Sequence, residues 1–73
     1  MTATGDQLAW AARIWRLSPR SDRIGWYYMT TGFLDSERAR AVDDWYAIDT
    51  ATRKEITHTL VRLYSTMQLA QPS

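Results

Sequence analysis

Four tryptophans, four tyrosines and a phenylalanine occupy a chain of 73 residues that contains no cysteine. This ratio constrains the fold more than any other feature. A chain this short buries only about 60% of the surface its unfolded form exposes and cannot divide its core between two domains. Each tryptophan can bury on the order of 200 Å² and needs a partner for its indole N–H once inside. Leu, Ile and Val together number twelve, so the aromatics must build the core, cover the surface, or do both. Without cysteine there is no disulfide framework, thiolate zinc site or cysteine nucleophile, and stability rests on packing alone. A deep-clefted two-domain enzyme is excluded by length.

The formal net charge is +1, unevenly spread. Residues 1–34 hold four arginines and two aspartates, whereas residues 35–73 hold five basic and six acidic side chains. No uncharged run, Ile24 to Leu34 included, exceeds eleven residues, and a membrane-spanning helix needs roughly 20. The start MTATGDQ lacks a basic n-region and Arg13 interrupts the apolar stretch after it, so neither a secretory signal nor a membrane span is expected. The expected location is the cytoplasm.

Periodicity predicts a single all-α domain over 1–73, a small bundle of three to four helices at about 5–17, 22–31, 35–48 and 50–69. Thr4 and Gln7 have capping-box spacing, and the first helix runs to a stop at Ser18-Pro19. Leu8, Trp10, Ala11, Ala12, Ile14, Trp15 and Leu17 cover more than half its circumference, leaving Ala9, Arg13 and Arg16 for water. A helix apolar over so wide an arc is buried on two sides, one of which is open to another chain.

The second segment, IGWYYMTTGFL, mixes β-branched and aromatic residues with helix caps, Ser21 or Asp22 before it and Gly32 after it. A lone strand has no sheet to join, so a short helix with Gly32 at C′ is preferred, and a strand pairing across a dimer stays open. The third helix is expected to start at Asp35 or Ser36 and to bury Ala39, Ala41, Val42, Trp45, Tyr46 and Ile48. In the fourth, Ile56, Leu60, Leu63, Tyr64 and Met67 form one stripe. Helices three and four are expected to make an antiparallel hairpin with the Trp-rich first helix across it.

Chemical motifs are sparse. Glu55 and His58 have the E-x-x-H spacing of carboxylate metal bundles, but both fall on the side of helix four occupied by Arg62, away from the apolar stripe. No hydroxyl is marked as a nucleophile beside a base. Asp43 and Asp44 point roughly 100° apart on a helix and do not converge on one ion; with Asp49 they read as a solvated face or half of an intermolecular ion pair. The chain is therefore expected to have no catalytic site, no metal and no cofactor.

Thr52-Arg-Lys-Glu-Ile-Thr-His-Thr-Leu-Val-Arg-Leu-Tyr64 resembles the second helix of ribbon-helix-helix repressors, and Leu34, Glu37, Val42 and Asp43 stand where that family's first helix would place them. The resemblance spans residues 34–64. It implies a dimeric DNA-binding regulator whose strand, at MTTGF, reads the major groove. Gly32 stands at an inward apolar position of that strand and Thr50 replaces the family's turn glycine, so no base-contacting residue is carried over.

Trp, Tyr and Arg are the side chains enriched at interface hot spots, and here they cluster in residues 10–28. Trp26, Tyr27 and Tyr28 are consecutive and cannot all point inward on a helix, and a contiguous exposed aromatic patch marks a partner surface. Arg13, Arg16, Arg20 and Arg23 lie among them, suited to orient an acidic partner. The function expected is a non-catalytic protein-interaction module, homodimeric, such as an inhibitor, antitoxin-like regulator or accessory subunit. Its partner-binding residues are expected to be Trp10, Arg13, Trp15, Arg16, Arg20, Arg23, Trp26, Tyr27 and Tyr28. The alternative is the DNA-binding regulator; a sequence pI of about 8.2 falls below the 9 or so usual for nucleic-acid modules.

Overall fold

A computed structural model describes the backbone of residues 4–70 and the side chains of residues 4–65. The described residues form an all-α bundle, with α1 (Gly5–Leu17), α2 (Arg20–Thr31), α3 (Ser36–Ala41), a 3-10 turn (Trp45–Ala47) and α4 (Thr50–Ala70). No described helix is long and apolar enough to cross a membrane.

The helix ends follow local chemistry. Thr4 and Gln7 exchange side-chain hydrogen bonds with each other's backbone N–H at 3.1 and 3.0 Å, satisfying donors that the first turn of α1 leaves free. The second segment is a helix, and it starts at Arg20, two residues before the expected position. Pro19 is its cap, with φ −61° already near the helical value and its carbonyl accepting from the N–H groups of Asp22 and Arg23. Gly32 ends α2 in the left-handed region at φ 72°, its N–H bonded to the Tyr28 carbonyl at 2.7 Å, where an L side chain is strained. Asp35 caps α3 through the Arg38 N–H at 2.8 Å. Asp49 caps α4, accepting from the Thr52 N–H at 3.1 Å and the Thr52 hydroxyl at 2.7 Å.

The expected third helix over 35–48 is corrected to six residues of α3, a break, and the 3-10 turn. The cause is tertiary. In a continuous helix the Val42 carbonyl would accept from the Tyr46 N–H. Instead it accepts from the Trp15 indole Nε1–H at 2.8 Å and Arg23 Nη1 at 3.2 Å, while the Tyr46 N–H donates to the Asp44 carboxylate at 3.1 Å. An aspartate that bonds its own local backbone competes with helix, as that residue type does elsewhere.

The core comprises Ala11, Trp15, Tyr27, Val42, Trp45, Ile48, Ile56 and Leu60, drawn from every element except α3. Trp15 is its centre, 5.4 Å from the Trp45 ring and 6.1 Å from Trp26. Trp10 meets Tyr64 edge to face at 5.4 Å. The Thr57 hydroxyl, wholly buried, donates to the Arg53 carbonyl at 2.7 Å. α4 packs principally against α1 and α2, and Thr30 and Thr59 hydroxyls meet across the α2–α4 seam at 2.9 Å. The expected hairpin of α3 with α4 is not among these principal contacts, since α3 buries no residue. Of the expected α4 stripe, Ile56 and Leu60 are buried, Leu63 and Tyr64 half-buried, and the Met67 side chain lies outside the described ones.

The resemblance to ribbon-helix-helix repressors does not extend to the fold. Residues 29–31, where the groove-reading strand would lie, belong to α2, and no strand occurs among the described residues.

Candidate protein-binding cleft

The aromatic surplus that composition places outside is mostly inside. Trp15 and Tyr27, both expected to anchor a partner, are core residues at 1% and 5% exposure, and neither can touch a partner while the chain is folded. Trp10 and Trp26 are half-buried against the core. Only Tyr28 of the expected aromatic anchors stands free, joined by two residues expected elsewhere: Tyr46, placed in the core by periodicity but exposed, and Leu17 at the end of α1. Apart from Leu17, the wide apolar arc of α1 is covered within the chain, by α4 and by the 3-10 turn.

The four clustered arginines separate into two pairs. Arg20 and Arg23 are structural: Arg20 Nε bonds the Asp43 carboxylate at 2.8 Å and its Nη2 bonds the Ala39 carbonyl at 3.0 Å, while Arg23 reaches the Val42 carbonyl and lies 3.9 Å from Asp43. Together they clasp the break after α3 onto α2. The Arg20–Asp43 pair is half exposed on both sides, so it contributes only on the order of 0–1 kcal/mol; its effect is to fix where the chain turns. Asp43, read from sequence as a solvated or intermolecular acid, is thus an intramolecular partner, and Asp44 and Asp49 are caps. Arg13 and Arg16 are exposed and make no hydrogen bond or ion pair with a described residue.

These residues surround a cleft of about 760 Å³ between α1 and the segment that follows α3. Ala9, Ala12, Arg13 and Arg16 recur at helical spacing and form one wall; Asp43, Asp44, Trp45 and Tyr46 form the other. Arg23 also lines the cleft, and its buried Nε–H has no hydrogen-bond partner among the described residues. Tyr46 stands at the rim with the Arg53 guanidinium 5.5 Å over its ring, a contact that holds the phenol in place. Arg13 and Arg16 are three residues apart and therefore neighbours on the helix surface, able to fork one carboxylate from two sides.

Sequence reasoning found both arginines but missed the opposite wall. The signal was present: Asp44 followed by Trp45 and Tyr46 is a turn former before two aromatics, and a helix carried through it leaves Asp44 without a role. Glu55, of the E-x-x-H spacing, is exposed and His58 half-buried, and no group of three metal-ligating side chains occurs among the described residues.

No family model, curated protein or solved structure matches the chain.

Proposed function

We propose that this chain is a non-catalytic protein-interaction module, an inhibitor, antitoxin-like regulator or accessory subunit, that acts in the cytoplasm as a homodimer. It binds an acidic protein partner in the cleft between α1 and the 3-10 turn. The observation that carries this reading is the pair Arg13 and Arg16: exposed, adjacent on one helix face and unpartnered among described residues, in a cleft whose apolar lining includes Ala9, Ala12 and Trp45. A guanidinium fork suits a carboxylate, the apolar lining suits a small aliphatic side chain, and Tyr46 adds the rigid aromatic contact typical of interface anchors. A partner segment with a carboxylate next to an apolar residue matches both. Three acids line the cleft, and two of them support binding over chemistry, because Asp43 is held by Arg20 and Asp44 by the Tyr46 N–H; Asp6, on the α1 side, is exposed.

The DNA-binding reading has less support. Two of its four arginines are engaged within the fold, and the segment expected to read the groove is helical.

The test is capture from an extract of the native host by the immobilised chain, comparing wild type with the double variant Arg13→Glu/Arg16→Glu. Both side chains are exposed and unbonded, so the variant keeps its fold. Proteins retained by wild type and lost by the variant, with retention weakening as salt rises, support the proposal. Identical sets rule out the cleft, and loss of nucleic acid in place of protein transfers the site to the DNA reading.

A further inference from the structure

The outer face of α2 has no partner among the described residues. Ser21, Asp22, Gly25, Tyr28, Met29 and Gly32 are all exposed and recur at the spacing of one helix face, while Tyr27 turns into the core. Gly25 is at the centre of that face. A glycine inside a helix costs about 1 kcal/mol relative to alanine, and nothing among the described residues requires this one. Its φ is not positive, and a Cβ built on it would meet nothing within 4 Å. What the missing side chain leaves clear is the outer surface.

We propose that this face is the interface between two copies of the chain, with α2 crossing its counterpart antiparallel at Gly25. The inference deepens the dimer reading given above and rests on it. In a two-fold crossing, a residue ahead of Gly25 faces the residue equally far behind it in the other copy. Ser21 therefore faces the second copy's Met29, and Asp22 faces the second copy's Tyr28. Small side chains oppose large ones, a carboxylate opposes a phenol O–H, and glycine opposes glycine where the axes come closest, at the short end of the usual range of about 8–10 Å.

Area and charge favour a second copy over another occupant. Tyr28 is 57% exposed and Met29 61%, and beyond the two ends of α2 Leu17 and Phe33 are exposed by 77% and 55%. These four side chains alone present on the order of 500 Å², more than half of the roughly 800 Å² that each partner gives to a standard interface. Asp22 is the only charged residue of the face, in keeping with the depletion of charge at interface centres. A net charge of +1 adds little repulsion between copies.

The test uses the full chain in sedimentation equilibrium and oxidative cross-linking. Wild type is expected to be a reversible dimer. Gly25→Leu is expected to weaken it at least tenfold while leaving the isolated chain as stable or more so, since leucine is the better helix former and the position is open. Because the chain has no cysteine, Gly25→Cys is expected to form a disulfide-linked dimer on mild oxidation, whereas Ala47→Cys, exposed on another surface, is not. A dimer indifferent to Gly25→Leu, with no cross-link through Gly25→Cys, rejects this face and leaves the dimer reading standing. A wild-type chain that stays monomeric rejects both.

Discussion

Replacing Trp15 with phenylalanine separates the two things this side chain does. The indole N–H donates to the Val42 carbonyl at 2.8 Å, and the ring fills the space between Trp26 and Trp45. Loss of the hydrogen bond costs about 1 kcal/mol and no more, because Arg23 still donates to the same carbonyl and keeps it satisfied. The smaller ring leaves a void of about 40 Å³, worth about 1 kcal/mol at the usual cost per volume. The expected total is about 2 kcal/mol, or a fall in Tm of roughly 8–16 °C for a domain of this size. Urea denaturation followed by far-ultraviolet circular dichroism, at one protein concentration, measures it without relying on the altered fluorophore set. Arg23→Met in the same background removes the second donor and orphans the carbonyl. The double variant should therefore lose about 1 kcal/mol more than the two single losses together, beyond the roughly 0.5 kcal/mol within which independent sites add. A loss under about 0.5 kcal/mol for Trp15→Phe, or strict additivity of the pair, would refute the shared-carbonyl account of why the third helix breaks.

Gly32→Ala should destabilise the chain by about 1–2 kcal/mol in the same assay, because φ 72° is open to glycine and strained for alanine; Gly25→Ala, on an open helical position, should not. The carboxyls of Asp35 and Asp49 sit below their ordinary value of 3.8, the first held there chiefly by the Arg38 backbone N–H and the second by the Thr52 hydroxyl. The folded chain thus binds fewer protons than the unfolded chain at acid pH. The stability from these caps is complete above the ordinary value and lost as pH falls through the lowered ones. Asp35→Asn/Asp49→Asn should flatten the acid limb of a stability–pH curve relative to wild type, and an unchanged limb would contradict the assignment.

Local signals in the sequence located most of the fold. The Thr4–Gln7 spacing, the stop at Ser18-Pro19 and the glycine at 32 each satisfy backbone groups or a backbone angle within a few residues, and α1 and the end of α2 lie where those signals put them. What was not legible depends on distant partners. Nothing near Val42 reveals that Trp15, 27 residues earlier, takes its carbonyl; Asp44 is the one local sign of the break after α3, and with the helix carried through it Tyr46 was placed in the core. The same break hid the clasp of Arg20 and Arg23 on Asp43 and Val42, which removes two arginines from the expected binding set. Trp15 and Tyr27 were misplaced for a different reason. Composition counts aromatic area without knowing that Trp26 and Trp45 both pack, at tilted angles, against the ring of Trp15. On α2 the sequence singled out Tyr28 as exposed, and the burial pattern adds Gly25 and Met29 on the same face.

The central claim is that Arg13 and Arg16 are free in the folded chain in order to bind an acidic partner, and the direct measurement is the comparison of host proteins retained by wild type and by Arg13→Glu/Arg16→Glu. The account predicts that at least one protein retained by wild type at about 150 mM salt is absent with the variant and is released from wild type as screening increases. Its unfolding midpoint in urea should match wild type. Retention of the same proteins by both chains, with the fold of the variant intact, would contradict it.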